Sequence, residues 1–295
     1  MSGAAIATVA LRARRRTAEA RRKAFLIGVA NHAVAIALTA AFVLPLFFVV
    51  STSLMTQQQA LTHDLIPHPF QWRNYIDIFK QEPILRYGWN TFVYAGMATL
   101  GVILSSVPVA YALSVIKWRG QRVVFLLVIS TMMLPSQVTI VPLFLFFKHL
   151  GWVGSLKPLI VPAFLGDAFS IFLLRQFFLT IPGDLVDAAR VDGANEFQIM
   201  WHVVVKIAKP AIAAVGLFQF LYCWNDFFGP LIYSLNNDKI WTLSVGLQQF
   251  TTIHRGVLWN QQMAASVVFM LPVIVLFLIA QKAFIEGVTL TGVKG

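Results

Sequence analysis

The sequence is poor in cysteine and in charge, and each shortage excludes whole classes of protein. A single cysteine, Cys223, excludes a disulfide framework within the chain, and no cluster of cysteine and histidine has zinc-site spacing. Only 12% of the residues are charged, 58% are hydrophobic, and the mean hydropathy is +0.73. A soluble domain does not combine so little charge with apolar runs of about 20 residues, so the chain is an integral membrane protein.

Motifs of catalysis are also missing. The chain has no G-x-x-x-x-G-K-[ST] phosphate loop, so it does not bind ATP by that motif. No Ser-His-Asp arrangement or paired carboxylates can be argued from the spacing of its residues. We therefore expect no catalytic residue, no metal site and no cofactor in this chain.

Long apolar segments are what the sequence has in their place. Inside a hydrocarbon core of about 30 Å the backbone finds no water, so each spanning segment must satisfy its own hydrogen bonds as a helix. The pattern predicts an all-α membrane protein. Its six transmembrane helices lie at roughly 30–52, 91–116, 123–147, 159–174, 211–232 and 263–284.

Lysine and arginine are distributed unevenly around these spans. Sixteen of the 23 flank one face, in the N-terminal tail, the loop after span two, the stretch 175–210 and the C-terminal end. By the positive-inside rule both termini and the 175–210 stretch lie in the cytoplasm. The net charge of +11 is thus membrane-flanking charge, and nucleic acid is not an expected partner. The arginine-rich start is an anchor rather than a cleaved signal, because the apolar run after it is too long.

Helix breakers interrupt the predicted spans. Pro135 and Pro142 fall in span three, Pro162 and Gly166 in span four, and Gly229-Pro230 closes span five. A single proline is explained by a kink that improves packing, whereas freed backbone groups survive in lipid only where they face protein or a wet cavity. The density of breakers favours a transport pathway.

Two acids lie at membrane depth, where a charge costs roughly 2.5–3.5 kcal/mol on insertion scales and normally faces a cavity. Asp226 lies about 24 Å along a helix from Pro210, in the outer half of the bilayer. With Trp224 and Asn225 it offers an indole face, an amide and a carboxylate, which suit a polyhydroxylated solute. Pairing with a neighbouring subunit or with interface water is the alternative for these acids. Candidate solute-pathway residues are Trp224, Asn225, Asp226, Asp167 and Gln137.

A polar stretch, Asp187-Ala-Ala-Arg-Val-Asp-Gly-Ala194, separates spans four and five. Before it, Ile181 to Asp184 predicts a helix start with Asp184 as N-cap, and 185–189 a short helix. Gly193 permits a turn, and 197–205 predicts a second short helix leading to Pro210. This helix-turn-helix either is an amphipathic interfacial loop or receives another protein through its small residues and carboxylates.

The same stretch, with its spacing to Pro210, resembles the EAA loop of ABC importer permeases, which docks on the ATPase subunits. The resemblance covers most of the chain beyond the first 25 residues. Taken together, the segments are similar to the carbohydrate-uptake branch, specifically to the second, six-span permease of maltose-type systems. They include 135–142, 171–178, Trp224-Asn-Asp226 with Pro230-Leu231, Met263-Ala-Ala265 and the terminal Gly-Val-Lys-Gly.

This chain departs from the family pattern at two positions in the loop. Asp187 stands where members usually have Glu, so the carboxylate lies on a side chain one methylene shorter. Lys206 stands where a proline is common, four residues before Pro210. The contact with the ATPase is expected to shift accordingly.

The resemblance implies a type I ABC importer permease fold with a division of labour among subunits. The chain would pair with a second homologous permease in the lipid bilayer, on two ABC ATPase subunits that bind ATP and Mg, and an extracytoplasmic binding protein would deliver the carbohydrate. Its domains would be a basic tail over 1–25, the permease domain over 26–285 with a coupling loop at 181–210, and a C-terminal tail over 286–295. Residues implied to touch the ATPases are Asp187, Ala188, Ala189, Asp192, Gly193 and Ala194 in the loop and Gly292, Val293, Lys294 and Gly295 in the tail.

Other functions stay open on the residues alone. An importer of another small polar solute, such as glycerol phosphodiesters, would share this architecture. An ion-coupled secondary transporter would use Asp167 or Asp226 as a proton or sodium site. A membrane-embedded enzyme would need a cluster of catalytic polar groups, which the sequence does not offer.

Overall fold

The computed structural model of the protein describes residues 3–62, 64–235, 237–252 and 258–292, and within these ranges the regular structure is helical. Short 3-10 turns at Gln59–Leu61, Val161–Leu165 and Asp238–Ile240 and a π-helical turn at Met200–Val204 join longer elements. The α-helices are α1 Gly3–Ser53, α2 Arg73–Gln81, α3 Ile84–Ala112, α4 Gln121–Thr131, α5 Ser136–His149, α6 Lys157–Ile160, α7 Ala168–Phe178, α8 Gly183–Val191, α9 Glu196–Ile199, α10 Val205–Ile207, α11 Lys209–Asn225, α12 Phe228–Ser234, α13 Leu243–Thr252 and α14 Trp259–Gly292.

Among the described residues, four helical segments are long and apolar enough to cross a membrane. They are Phe25–Ser53, Ile84–Ala112, Lys157–Phe178 and Trp259–Ile279. A fifth is obtained if α11 is joined to the segment Glu196–Ile207, which is bent away from it by 80°. The all-helical, multi-span prediction is confirmed, while the count of six and the cytoplasmic position of both termini stay predictions.

The predicted third and fourth spans are broken where the sequence places its breakers. The third becomes α4 and α5, with Pro135 immediately before α5, since proline lacks an amide hydrogen and excludes α-helical geometry from the preceding residue. In the fourth, the turn Val161–Leu165 ends at Gly166, whose φ of +102° lies in the left-handed region. Asp167 then caps α7 by accepting the Ser170 amide at 2.7 Å.

The fifth span ends earlier than the sequence predicts. Gly229-Pro230 do not close it, because α11 already stops at Asn225 and both residues lie in the first turn of α12. A proline is tolerated there, since the first amides of a helix have no intrahelical partner. The chain therefore turns at Asp226, which is not inside a continuous helix.

Helix α3 is the central element and contributes to both buried clusters. Its first half packs with residues of α11, α13 and α14 around Tyr87, Tyr94 and Trp224. Its second half packs with α7 and with the loop elements α8 and α9 around Val107 and Leu174. One rigid helix therefore links the 181–210 loop to the opposite end of the bundle.

Candidate functional site

The 181–210 loop folds as two helical arms, and its first arm is α8. Pro182 occupies the N-cap position, so Asp184 is not the N-cap as predicted but lies in the first helical turn. A carboxylate there is favourable because the helix N-terminus carries unpaired amides and partial positive charge. The arm extends to Val191, two residues beyond the end that the sequence predicts.

The turn after α8 requires glycine, as the sequence predicts. Gly193 has a φ of +84°, and the amides of Gly193 and Ala194 donate to the carbonyls of Arg190 and Ala189 at 3.1 and 3.0 Å. This pair of bonds is a Schellman motif, which closes a helix by placing one residue in the left-handed region. An L side chain at Gly193 would therefore strain the backbone.

The second arm differs from the single helix predicted over 197–205. It begins one residue earlier and consists of α9, the π-helical turn Met200–Val204 and α10, before Ala208 introduces the bend into α11. Asn195 and Gln198 form a reciprocal capping box with both bonds at 2.9 Å, and the Asn-x-x-Gln spacing in the sequence is its signal. Lys206, in the place of the family's proline, lies inside α10.

Arg190 links the two arms. Its guanidinium donates to Asp187 at 3.0 Å and to Glu196 at 2.9 Å. The other oxygen of Glu196 accepts the hydroxyl of buried Tyr111, near the end of α3, at 2.5 Å. We call Asp187, Arg190, Glu196 and Tyr111 the loop tether, because these side chains fasten both arms to the central helix.

Charge pairing within the loop tether shifts the titration of its members. Hydrogen bonds from Arg190 and then Tyr111 hold the pKa of Glu196 below its ordinary value. The bond to Glu196 raises the pKa of Arg190 in turn. Both groups are thus ionised at neutral pH, and the tether combines charge with directional hydrogen bonds.

The six predicted coupling residues separate into an outer and an inner set. Asp187, Ala188, Asp192 and Gly193 are exposed. Ala189 and Ala194 are half-buried and pack against the second core cluster. Of the predicted C-terminal contact residues, Gly292 ends α14 and 293–295 lie outside the described residues.

The outer set has exposed apolar neighbours. Val191 is 87% exposed and Leu185 is 47% exposed, on the same short helix that carries Asp187. A loop in water does not favour large exposed aliphatic side chains beside carboxylates unless another surface covers them. The exposed face of α8 therefore combines small, apolar and acidic side chains.

Of the solute-pathway candidates, Asp167 borders a cavity of about 620 Å³ between α3, α7, α11 and the turn Val161–Leu165. Tyr94, Gln219 and Tyr222 also line this cavity, which we call the central cavity. Asp167 lies at the midpoint of the 22-residue segment Lys157–Phe178. The structure thus places this carboxylate beside open space, near the middle of a candidate span.

Asp226 is engaged by protein groups. Its carboxylate accepts the Tyr94 hydroxyl at 2.8 Å and the Gly229 amide at 3.1 Å. It therefore joins α3 to the start of α12, and it is absent from the lining of the central cavity. Tyr94, which sequence reasoning missed, connects this bond to the cavity wall.

Trp224 and Asn225 lie in a different place from Asp167. Buried Trp224 donates a hydrogen bond to the Phe269 carbonyl at 3.3 Å. Trp224 and Asn225 line a second cavity of about 560 Å³ against α13 and α14. Gln137 is exposed in the first turn of α5 and lines neither cavity. The five candidates predicted from sequence therefore do not form one site.

The described residues contain no cluster of three or more potential metal ligands.

One family of known proteins matches most of this chain. The profile of the family described as "Binding-protein-dependent transport system inner membrane component" matches residues 99–289, which include α3's second half, the loop and most of α14. The chain belongs to this family. Recognition of an importer permease from the loop is confirmed, and the family's position in the inner membrane agrees with the apolar helices.

Several curated relatives align over most of their length. The arabinooligosaccharides transport system permease protein of Bacillus subtilis is 33% identical over 259 residues, which cover 86% of this chain and 91% of that protein. The sn-glycerol-3-phosphate transport system permease protein of Yersinia pestis is 32% identical over 230 residues, covering 76% and 81%. These relatives are transport permeases rather than enzymes.

Solved structures share the fold. A crystal structure of a bacterial ABC transporter involved in the import of the acidic polysaccharide alginate matches with a TM-score of 0.77 and 24% identity, over 88% of this chain and 96% of that one. A second match, at a TM-score of 0.60 and 16% identity, covers 84% and 91%; it is the alginate transporter in complex with an alginate pentasaccharide-bound periplasmic protein. The helical arrangement described above is therefore shared with chains of these two structures.

Proposed function

We propose that this chain forms one half of the translocation pathway of an ATP-driven carbohydrate importer. Support comes from the family, from an arabinooligosaccharide permease among its relatives and from the shared fold. Its partners would be a second homologous permease, two ABC ATPase subunits and an extracytoplasmic binding protein. Because the sequence carries no phosphate loop, ATP and Mg would bind the ATPase subunits.

The observation that carries this proposal is the loop tether. A docking loop transmits motion only if it is stiffly joined to a helix that reaches the pathway. Here Glu196 binds Tyr111 on α3, and the same helix supplies Tyr94 to the central cavity. Displacement of the loop by an ATPase would therefore move a wall of the central cavity.

The docking contact itself would be made by the exposed face of the loop. Asp187 has a side chain that is 71% exposed even though it pairs with Arg190. It could accept a bond from an ATPase lysine or arginine without losing that pair, since a carboxylate has several acceptor positions. Leu185 and Val191 would supply apolar contact beside it.

Gly193→Asp in the complete importer tests the coupling role. A Cβ at this φ costs about 1–2 kcal/mol, although it meets no atom of the described residues within 4 Å, so we expect a folded chain in the membrane with transport abolished. Gly183→Ala is the matched control, because its Cβ also meets nothing and its φ is not positive. ATP-dependent uptake of labelled arabinotriose into proteoliposomes is the measurement. Normal uptake by Gly193→Asp would remove the coupling role.

A further inference from the structure

The central cavity has a chemical character that separates classes of solute. Its polar lining comes from Asp167, Ser170 and Gln219, and its aromatic lining from Tyr94, Phe169 and Tyr222 among others. Phe169 packs edge to face with Phe218 at 6.3 Å between ring centroids, which fixes this part of the wall. Ring faces beside amide and carboxylate oxygens are what a sugar needs for stacking and hydroxyl bonding.

The cavity also lies at a depth where polar groups need a protein or water environment. Asp167 lies near the midpoint of the candidate span Lys157–Phe178, and Gln219 lies in the second half of the apolar helix Lys209–Asn225. Carboxylates and carboxamides at mid-bilayer face bundle interiors or wet cavities, since hydrocarbon offers them no hydrogen bond. An orientation of this cavity toward lipid is therefore unfavourable.

Among the residues that the structure describes, no cationic side chain lines the cavity. Its lining residues include one carboxylate, that of Asp167, and no lysine, arginine or histidine. The one basic side chain of α7, Arg175, is about 12 Å farther along the helix. It is engaged there with the Leu113 carbonyl at 2.8 Å and the Phe125 ring at 3.8 Å. Phosphate or uronate groups would meet Asp167 without a compensating positive charge.

Asp167 nevertheless holds its position firmly. One of its oxygens accepts both the amide and the hydroxyl of Ser170, at 2.7 and 2.6 Å. The carboxylate is thereby fixed at the start of α7, and its negative charge faces whatever enters the cavity. A fixed acid favours hydroxyl donors and repels anions at short range, where a low dielectric strengthens both effects.

We propose that the central cavity is a binding site for neutral sugars, with Asp167 as a hydroxyl acceptor that excludes anionic solutes. This inference rests on the proposed function as a carbohydrate permease. It favours a neutral oligosaccharide over the glycerol phosphate and the acidic polysaccharide associated with other members of this fold. Tyr222 and Phe169, 67% and 44% exposed, would stack on the sugar from the open side of the cavity.

Equilibrium binding to the complete importer in nanodiscs, without the binding protein, tests this directly with labelled arabinotriose and with sn-glycerol 3-phosphate. Asp167→Asn keeps a residue that caps α7 but removes the charge, so we expect about tenfold weaker arabinotriose binding and a smaller preference over the phosphate. Tyr222→Ala should also weaken arabinotriose binding about tenfold. Phe228→Ala, exposed and outside the cavity, and Asp238→Asn, exposed on a turn, are the controls.

ATP-dependent import with the binding protein is measured in parallel on the same preparations. If the wild type imports arabinotriose while Asp167→Asn and Tyr222→Ala bind it normally, the cavity site is wrong and the proposed function stands. If the wild type binds glycerol 3-phosphate as tightly as arabinotriose, the proposed exclusion of anionic solutes by Asp167 is wrong. If the wild type imports no neutral sugar in the presence of ATP, the carbohydrate assignment itself fails.

Discussion

At the scale of single residues, Gly229 is fixed by its closeness to Asp226. A Cβ on Gly229 would lie 2.6 Å from a carboxylate oxygen of Asp226 and 3.0 Å from Leu159. Gly229→Ala must therefore displace Asp226 from Tyr94, and we expect a loss of about 1–3 kcal/mol in stability. The melting temperature of the purified chain in detergent measures it. Gly96→Ala, where the Cβ meets nothing within 4 Å, should leave that temperature unchanged or higher, and equal losses in both variants would contradict the explanation.

Glu196 gives the loop a dependence on pH. Its pKa is below the ordinary 4.5 because Arg190 and Tyr111 bond the ionised form, so folding stabilises the carboxylate. That contribution is fully present above the unfolded pKa and is lost as pH falls through the lower folded pKa. The melting-temperature gap between wild type and Glu196→Gln should be constant from pH 7 to 5 and shrink in more acidic buffer. A gap that keeps its size down to pH 3 would show that ionisation of Glu196 contributes nothing.

At the scale of secondary-structure elements, the loop tether joins α8 and α9 to α3. Tyr111→Phe removes one hydroxyl and one bond of 2.5 Å while the ring keeps its buried contacts. A hydrogen bond to a charged group contributes about 1 kcal/mol or more, so the loop should move more independently of α3. We expect fewer sugars imported per ATP hydrolysed, with ATPase activity itself preserved.

The control for that variant is Tyr75→Phe. Tyr75 also bonds through its hydroxyl, to Ser53 at 2.7 Å, but on α2 and far from the loop. Removal of the Tyr75 hydroxyl should leave the ratio of transport to ATP hydrolysis unchanged. If Tyr111→Phe keeps the wild-type ratio as well, the tether does not transmit motion and serves stability alone.

Local chemistry made many of these elements predictable. Pro135 precedes the start of α5, Gly193 ends α8 in a turn, and Asn195 with Gln198 caps α9, because each effect depends on residues within a few positions. The π-helical turn at Met200–Val204 and the early end of α11 have no such signal. Met200 and Val204 pack in the second core cluster with α3 residues, and Asp226, directly after α11, accepts a hydrogen bond from Tyr94 of α3. Both features thus involve contacts with a distant segment, which local periodicity does not encode.

The same distinction between local signals and contacts of distant segments applies to the site residues. The loop residues could be proposed from the sequence because their spacing within one short segment resembles a known family. The solute candidates could not be sorted, because the bond that engages Asp226 spans 132 positions to Tyr94. Likewise, Tyr111 lies 85 positions from Glu196, and nothing in either segment alone indicates the pair. Contacts between distant segments are set by the fold.

At the scale of the whole molecule, α3 also defines the two sides of the membrane. Near its start, Arg86 pairs with Asp238 at 2.8 Å, and near its end Tyr111 bonds the 181–210 loop. Their positions along the helix are about 38 Å apart at 1.5 Å per residue, which exceeds a hydrocarbon core of about 30 Å. We therefore expect the turn at Asp238 and the loop at Asp192 to lie on opposite sides, and the lysine and arginine bias predicts that the loop is on the cytoplasmic side.

Cysteine labelling tests this topology, because the chain has one cysteine, Cys223, and it is buried. In a Cys223→Ala background, Asp238→Cys and Asp192→Cys are each exposed to a membrane-impermeant maleimide on spheroplasts. Both native side chains lie at the surface, so accessibility differs only through the membrane. We expect Asp238→Cys to react in intact spheroplasts and Asp192→Cys only after permeabilisation. Labelling of Asp192→Cys in intact spheroplasts would invert the topology and remove the loop from the cytoplasmic ATPases, since impermeant reagent reaches only the outer face.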